Sequence, residues 1–234
     1  MTRQVLKVSG AAGGAGGYRS IGEALRGATD GAVVTIAAGR YEERLVIDRV
    51  VTLVPEQDAG SVEIHSVSGI TVAVAAEGVQ LTGLVLSGSD NQAPVVQVQR
   101  GELALDGCEV SGSAWAAIFA HTRGTLAVRD CKVGNAVGAG IVVTSPGANV
   151  VENSTIAGAA SSAIVVADAG RLLVHGSKVE RSGGNGICVN GNAYAEVRNC
   201  TFTACAKPGI AVEQKAGALI SEVEISESSG VDAY

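Results

Sequence analysis

Few residues of this 234-residue chain have types and spacing that suit chemistry. His121 and Glu213 could act as a general base or acid. Thr144 and Asn190 could hydrogen-bond a ligand, and Cys188 could act as a nucleophile. A glycosidase or esterase would need two carboxylates within about 5 to 10 Å of each other, and a lyase that binds Ca²⁺ would need several that converge. The strands around these residues supply one glutamate, so we predict no catalytic residue on them.

The histidines and the cysteine also have simpler interpretations. A lone surface histidine such as His121 is usually solvated. No cationic neighbour of Cys188 is evident, so a passive exposed thiol is the expected alternative to a reactive one. His65, His121 and His175 do not share a repeat position, so we predict no metal site and no cofactor.

The positions of these residues are set by a repeat of 23 residues. One turn-and-strand segment begins at Leu105, Val128, Val151, Val174 and Val197, and a second recurs in phase around Ile118, Ile141, Ile164, Ile187 and Ile210. A constant period of this length is typical of a solenoid. Within each unit, short β-branched runs alternate between apolar and polar residues, which indicates strands. We therefore predict an all-β fold, a right-handed parallel β-helix with coils of about 23 residues.

Two kinds of column run through these coils. Equivalent apolar residues stack into core ladders, and Cys108, Cys131 and Cys200 fall in a column of small core residues. The corner positions just before this column have residue types that tolerate a left-handed backbone. They are Gly107, Asp130, Asn153, Gly176 and Asn199.

A short helix is predicted before the first coil. Ser20 followed by Glu23 forms a capping box, and Ile21, Ala24 and Leu25 lie on one face. This helix would cover the N-terminal end of the coil stack, which otherwise exposes unpaired backbone.

The chain is predicted to be one domain over residues 1–234. Residues 1–48 hold the first strand and the capping helix, 49–99 form irregular early coils, and 100–234 form the regular array. The steps in the early coils are 24 and 22 residues, and the slack is expected in a loop at 87–94.

An apolar column on the outside of the Ile118 sheet is the most distinctive surface feature. Outward positions on a solvated sheet should be polar, so this column indicates either a docking surface or strands covered by a loop. Its members, flanked by Trp115, are Phe119, Val142, Val165, Cys188 and Ala211. The next outward column, formed by His121, Thr144, Asn190 and Glu213, would be its polar rim.

Composition excludes several classes of function. The net charge of −6 gives no basic footprint for nucleic acid, and no apolar run is long enough to span a membrane. The first residues lack the apolar stretch of a signal peptide. Five cysteines, an odd number, fit a reducing compartment, so we predict a cytoplasmic protein.

The N-terminal region resembles pectinesterase-like and pectate-lyase-like β-helix proteins. The residues that carry the resemblance are Tyr18, Ser20, Ile21, Ala24, Leu25, Ile36, Gly39, Tyr41, Glu43 and Ile47. More closely, the chain is similar to the N-terminal β-helix region of large actinobacterial proteins, in which it precedes an AAA-type ATPase. The resemblance implies a bacterial β-helix. The pectinesterase motifs, a Gly-x-x-Asp-Phe-x-Phe-Gly segment and a Gln-Asp pair on the sheet, have no counterpart, and the chain has no phosphate-binding loop.

Three functions follow as hypotheses. The leading one is a non-enzymatic scaffold that binds a protein partner or a second copy of itself. It would bind through the apolar column or through the last coil. We expect the open end of the last coil to be covered by a partner surface, by a continuation of the chain or by a second copy. The second is a carbohydrate-binding or carbohydrate-active protein that uses the same sheet. The third is a small-molecule enzyme of secondary metabolism that uses this groove.

Overall fold

The computed structural model describes residues 3–10 and 17–233, which form a right-handed parallel β-helix. Each complete coil contributes a strand to each of three parallel sheets, named A, B and C in the order in which the chain visits them. In the regular array the partner of a residue lies 23 positions further along, as for Ile118 and Ile141. The predicted fold is confirmed.

Sheet A contains the first strand of the chain and the strands that follow sheet C in each coil. Its strands are β1 (Val5–Val8), β2 (Ala32–Ile36), β5 (Val51–Pro55), β8 (Val79–Thr82), the second part of β10 (Val96–Asp106), the second part of β12 (Ala116–Arg129), β15 (Asn149–Glu152), β18 (Arg171–His175), and the first parts of β21 (Tyr194–Thr203) and β23 (Gly217–Ser226).

Sheet B follows sheet A after a sharp corner. Its strands are β3 (Gly39–Glu42), β6 (Val62–Ser66), β9 (Val85–Gly88), β11 (Glu109–Gly112), β13 (Lys132–Asn135), β16 (Thr155–Ala157), β19 (Lys178–Glu180), and the second parts of β21 and β23.

Sheet C closes each coil and holds the Ile118 ladder. Its strands are β4 (Leu45–Ile47), β7 (Val72–Val74), the first parts of β10 and β12, β14 (Ala139–Val143), β17 (Ile164–Val166), β20 (Ile187–Val189), β22 (Ile210–Val212) and β24 (Val231–Ala233).

The core occupies the inside of the coils, as the ladders predict. Leu105, Val128 and Ile118 are fully buried, and so are their counterparts through Val197 and Ile210. The last two ladder members, Ile220 and Ile225, are only half-buried. Burial of these β-branched and leucine side chains provides the main stabilisation of the stack, at about 25 cal/mol per Å² of apolar surface removed from water.

Helix α1 (Ile21–Gly27) lies against β1, β2 and β4 and buries the three residues predicted for its inner face. The Ser20 hydroxyl accepts the Glu23 N–H at 3.1 Å, as the capping box predicts. The Glu23 carboxylate accepts the N–H of Arg19, one residue before the cap. The Glu43 carboxylate accepts the N–H groups of residues 21 and 22, each at 2.9 Å. These first N–H groups lack partners within any helix, so a residue from the first coil fastens α1 to the stack.

The corners between sheets A and B have the left-handed backbone that the residue types predicted. Asp130, Asn153 and Asn199 have φ of 52°, 48° and 50°, and the glycines at equivalent positions also have positive φ. At the corner between sheets C and A, Gly124 is needed for a different reason. A Cβ there would lie 2.2 Å from the Val98 carbonyl oxygen, so only glycine lets the two coils approach this closely.

The early coils are less regular, as expected, but the loop predicted at 87–94 begins at a different residue. Ser87 belongs to β9, so the loop begins after Gly88. A second irregularity is a register shift between Val98 and Arg100, where β10 meets β12. Among the described residues, no helix is long and apolar enough to cross a membrane.

Candidate functional site

The predicted apolar column forms one continuous line along the outside of sheet C. The register pairs Phe119 with Val142, Val142 with Val165, Val165 with Cys188, and Cys188 with Ala211. Each residue lies between two inward ladder residues, so strand alternation directs its side chain away from the core.

Most of this column is nevertheless covered. Val142 and Cys188 are each 8 % exposed and Ala211 is 2 % exposed, while Phe119 and Val165 are half-buried. Ala116 and Ala139, at the start of their strands, pack with Val142 in a small cluster outside the main core. The column is expected either to be accessible for docking or to be covered, and three of its five residues are covered. The accessible parts of the column lie at Phe119, at its N-terminal end, and at Val165.

An aromatic cluster stands at that accessible end. The Trp115 and Phe119 rings meet nearly at right angles, with centroids 4.7 Å apart, and Phe119 stacks on His121 with centroids 4.4 Å apart. Trp115 is 45 % exposed. Because a right-angled contact uses the edge of one ring, at least one face of the indole is left free by Phe119.

The protonation of His121 follows from its neighbours. Its Nε2 lies 2.9 Å from the Gln97 amide nitrogen, which is a donor, so Nε2 accepts. The proton is then on Nδ1, which lies 2.9 Å from the Thr122 hydroxyl. Burial lowers the pKa of His121 below its usual value, so the ring is neutral at pH 7.

The predicted rim residues Thr144, Asn190 and Glu213 are half-buried beside the column. The Asn190 amide donates to the Cys188 sulfur at 3.7 Å. Burial raises the pKa of the Cys188 thiol, and the negative charge of Glu213 raises it further. The interpretation of Cys188 as an exposed thiol is wrong, because it is buried and held in the protonated form.

The chemistry available on this face is recognition rather than acid–base catalysis. The outward residues from Gln97 to Ala211 include no carboxylate, and Glu213 on the rim lies near a thiol. Within residues 3–10 and 17–233, no group of three or more His, Cys, Asp or Glu side chains could hold a metal ion. The arrangement offers stacking surface, an amide, an imidazole and a hydroxyl.

Gln97 is the member of this cluster that the sequence analysis did not select as a site residue. It pairs with Phe119 in the register, and its amide reaches diagonally to His121. Side chains two positions apart on neighbouring strands are within reach of long residues. The outward position of Gln97 is readable from alternation, and this diagonal rule could have joined it to His121.

Comparison with known proteins identifies the fold. The family described as "Right handed beta helix region" matches residues 82–234. No curated protein sequence matches the chain. Among solved structures, a pectin methylesterase variant in complex with a hexasaccharide superposes with a TM-score of 0.68 at 12 % identity, over 98 % of this chain and 90 % of that chain.

Two further structures are similar. The pectin methylesterase of Aspergillus niger has a TM-score of 0.59 at 16 % identity, over 98 % of this chain and 86 % of that one. The pectin methylesterase of Yersinia enterocolitica has a TM-score of 0.61 at 14 % identity, over 91 % and 90 %. At these identities the similarity concerns the fold.

Proposed function

The chain belongs to the right-handed β-helix family, and on that premise we propose that it is a carbohydrate-binding protein. It holds an oligosaccharide across the outward face of sheet C. The observation that carries this proposal is the exposed indole of Trp115, supported from behind by Phe119 and His121. Structures of this fold include a pectin methylesterase bound to a hexasaccharide, which supports the choice of ligand class.

The aromatic cluster suits a sugar ring because it is rigid before the ligand arrives. Phe119 is fixed between the Trp115 ring and the His121 ring, so the indole loses little conformational freedom on binding. Preorganisation of this kind increases affinity because fewer side chains must be ordered. Polar groups beside a ring of this type fix the orientation of the ligand, and Gln97 and Thr144 lie on the same face.

The charge of the site favours a neutral sugar over an acidic one. His121 is neutral at pH 7 because burial lowers its pKa. Among the selected site residues Glu213 carries the one formal charge, and it is negative. An oligosaccharide long enough to run the four coils, about 19 Å, from Phe119 to the coil of Glu213 would place a uronate at this carboxylate without a compensating cation among those residues. We therefore expect binding of neutral oligosaccharides and weaker binding of oligogalacturonates.

Binding of a protein partner or of a second copy is the second candidate. Val137, in the equivalent loop of the next coil, is 57 % exposed, and Trp115 is 45 % exposed, so these two neighbouring loops each present an apolar side chain. A stable protein interface buries roughly 800 Å² per partner, and the covered column contributes little to such an area. The relation to β-helix regions that precede an AAA-type ATPase, the bacterial source and the cytoplasmic location remain predictions.

The test is a titration of the full chain with neutral and acidic oligosaccharides. Trp115→Ala should weaken binding of a neutral oligosaccharide at least about tenfold, which is 1.4 kcal/mol, while Trp115→Phe retains part of the affinity. Val137→Ala is the matched control and should leave sugar binding unchanged.

Equal affinity of the wild-type protein and Trp115→Ala, or no binding to any oligosaccharide of an array, would overturn the proposal. Light scattering of the same variants separates it from the second candidate. Association that is lost in both Trp115→Ala and Val137→Ala would favour the docking surface instead.

A further inference from the structure

A second site lies on sheet B, around a histidine held at both ring nitrogens. His65 is 8 % exposed. Its Nδ1 lies 2.7 Å from the Ser87 hydroxyl, and its Nε2 lies 3.2 Å from the Ser89 hydroxyl. Ser87 is the register partner of His65 in the next coil. Ser87 and Ser89 are two positions apart, so both point outward and bracket the ring.

The hydrogen-bond chain continues to a carboxylate. The Ser87 hydroxyl donates to Glu63 Oε1 at 2.9 Å, and Arg40 holds the same carboxylate at 3.3 Å. A serine hydroxyl has one proton. Because Ser87 gives that proton to Glu63, its oxygen can only accept from His65. A proton of His65 is therefore on Nδ1, so in the neutral ring the lone pair of Nε2 faces Ser89.

The reactive end of this chain is accessible and well positioned. Ser89 is exposed, while its backbone N–H donates to the Ser66 carbonyl at 2.9 Å. The following residue, Asp90, accepts the N–H groups of Gly69 at 2.6 Å and Gln92 at 2.7 Å. These bonds fix the backbone on both sides of Ser89, and its hydroxyl lies within hydrogen-bond reach of the imidazole without a ligand present.

We propose that Ser89 is the nucleophile of an esterase site, with His65 as its general base and Ser87 and Glu63 as positioning residues. A hydroxyl next to an imidazole, which is itself oriented by a third group, is the arrangement that activates serine. Here the carboxylate acts through Ser87 rather than directly. This site is on a different sheet from Trp115, so the proposal does not depend on carbohydrate binding.

The reaction is balanced without a cofactor. Ser89 Oγ forms a bond to the acyl carbon as its proton passes to His65 Nε2, and the ester C–O bond breaks as that proton passes to the departing alkoxide. Water then attacks the acyl-serine, gives a proton to Nε2, and releases the acid when Ser89 Oγ recovers the proton. The products are one alcohol and one carboxylic acid.

The neighbouring groove limits the substrate to a small ester. Its volume is about 250 Å³, and it is lined by His65 together with Glu42, Glu43, Arg44, Ser66, Val67 and Ser68. Arg44 lies over Gly69, where an added Cβ would be 2.8 Å from its guanidinium. We infer a short-chain carboxylic ester without a further acidic group, because the Glu42 and Glu43 carboxylates line the same groove as Arg44.

The experiment uses the full chain with p-nitrophenyl acetate and with a fluorophosphonate probe. We expect ester hydrolysis above background and labelling of Ser89, in which a P–O bond forms and fluoride leaves. Ser89→Ala and His65→Asn should each lower kcat by roughly 10²- to 10⁴-fold. Ser111→Ala is the matched control, because Ser111 is exposed and is the register partner of Ser87 in the following coil; it should keep full activity.

The positioning role has its own readout. Ser87→Ala should lower kcat and leave KM unchanged, and Ser87→Thr, which keeps the hydroxyl, should restore activity. Thermal unfolding of each variant reports whether it remains folded. Hydrolysis at the background rate by the wild-type protein, equal rates for wild type and Ser89→Ala, or labelling at another residue overturns the proposal.

Discussion

The backbone N–H of Cys131 donates to the Ser154 hydroxyl of the next coil at 3.1 Å. The same bond recurs in the column, from the N–H of Cys108 to the sulfur of Cys131 at 3.3 Å and from the N–H of Ser154 to the Ser177 hydroxyl at 3.1 Å. Strand pairing is interrupted at this corner, so these side chains supply the acceptors that the backbone ladder lacks. The column is more than small core filling: it connects the coils.

Ser154→Ala should destabilise the protein by about 1 to 3 kcal/mol, because it leaves the buried N–H of Cys131 without an acceptor. Ser154→Cys should cost less, since cysteine already serves at positions 108, 131 and 200 in this column. Urea denaturation measures both. Ser111→Ala, an exposed serine one sheet away, is the control, and a loss in Ser154→Ala no larger than in this control contradicts the role.

Gly124→Ala should cost more than about 2 kcal/mol, because the new Cβ would overlap the Val98 carbonyl oxygen unless the coils move apart. Gly107→Asn is the contrasting substitution, at a glycine where backbone conformation rather than space is the constraint. Gly107 has φ of 60° with open space around it, and asparagine occupies the equivalent position at 153 and 199. We expect a change within about 0.5 kcal/mol there. Equal losses at both positions in urea denaturation would refute the distinction between close approach and backbone conformation.

His121 should titrate below its ordinary value of 6.5, because burial disfavours the imidazolium. Since the folded pKa is lower than the unfolded one, the unfolded chain binds the proton first. The stabilising contribution of neutral His121 is present above about pH 6.5 and is lost as the pH falls from there towards the folded pKa. An NMR titration reads the midpoint directly. Phe119→Ala, which removes the stacked ring, should move it back towards 6.5, and a wild-type midpoint at or above 6.5 contradicts the prediction.

Cys188 should react with iodoacetamide at least about tenfold more slowly than a free thiol, because its sulfur is covered and its pKa is raised. Mass spectrometry of the folded protein follows the reaction at each cysteine. Ala160→Cys places a thiol at an exposed loop position as the reference. Alkylation of Cys188 as fast as that of the reference thiol would show that the column is open.

The sequence predicts the register, the core ladders, the left-handed corners and the inner face of α1, because each depends on residues at a constant step. Exposure of the outward column cannot be predicted in this way. Whether Val142 or Ala211 is covered depends on how neighbouring loops and alanines pack, and a repeat pattern has no information on that. The site around His65 was not predicted for another reason. His65 and Ser87 are 22 residues apart in the irregular early coils, so the regular step of 23 residues does not pair them.

The left-handed corners and the fixed coil length also determine how such a protein can change over evolutionary time. Duplication or loss of one regular coil adds or removes 23 residues, and about 4.8 Å of length, while the hydrophobic interior continues across the junction. Surface features carried on separate coils can therefore be spread apart, or brought together, without a new fold being invented.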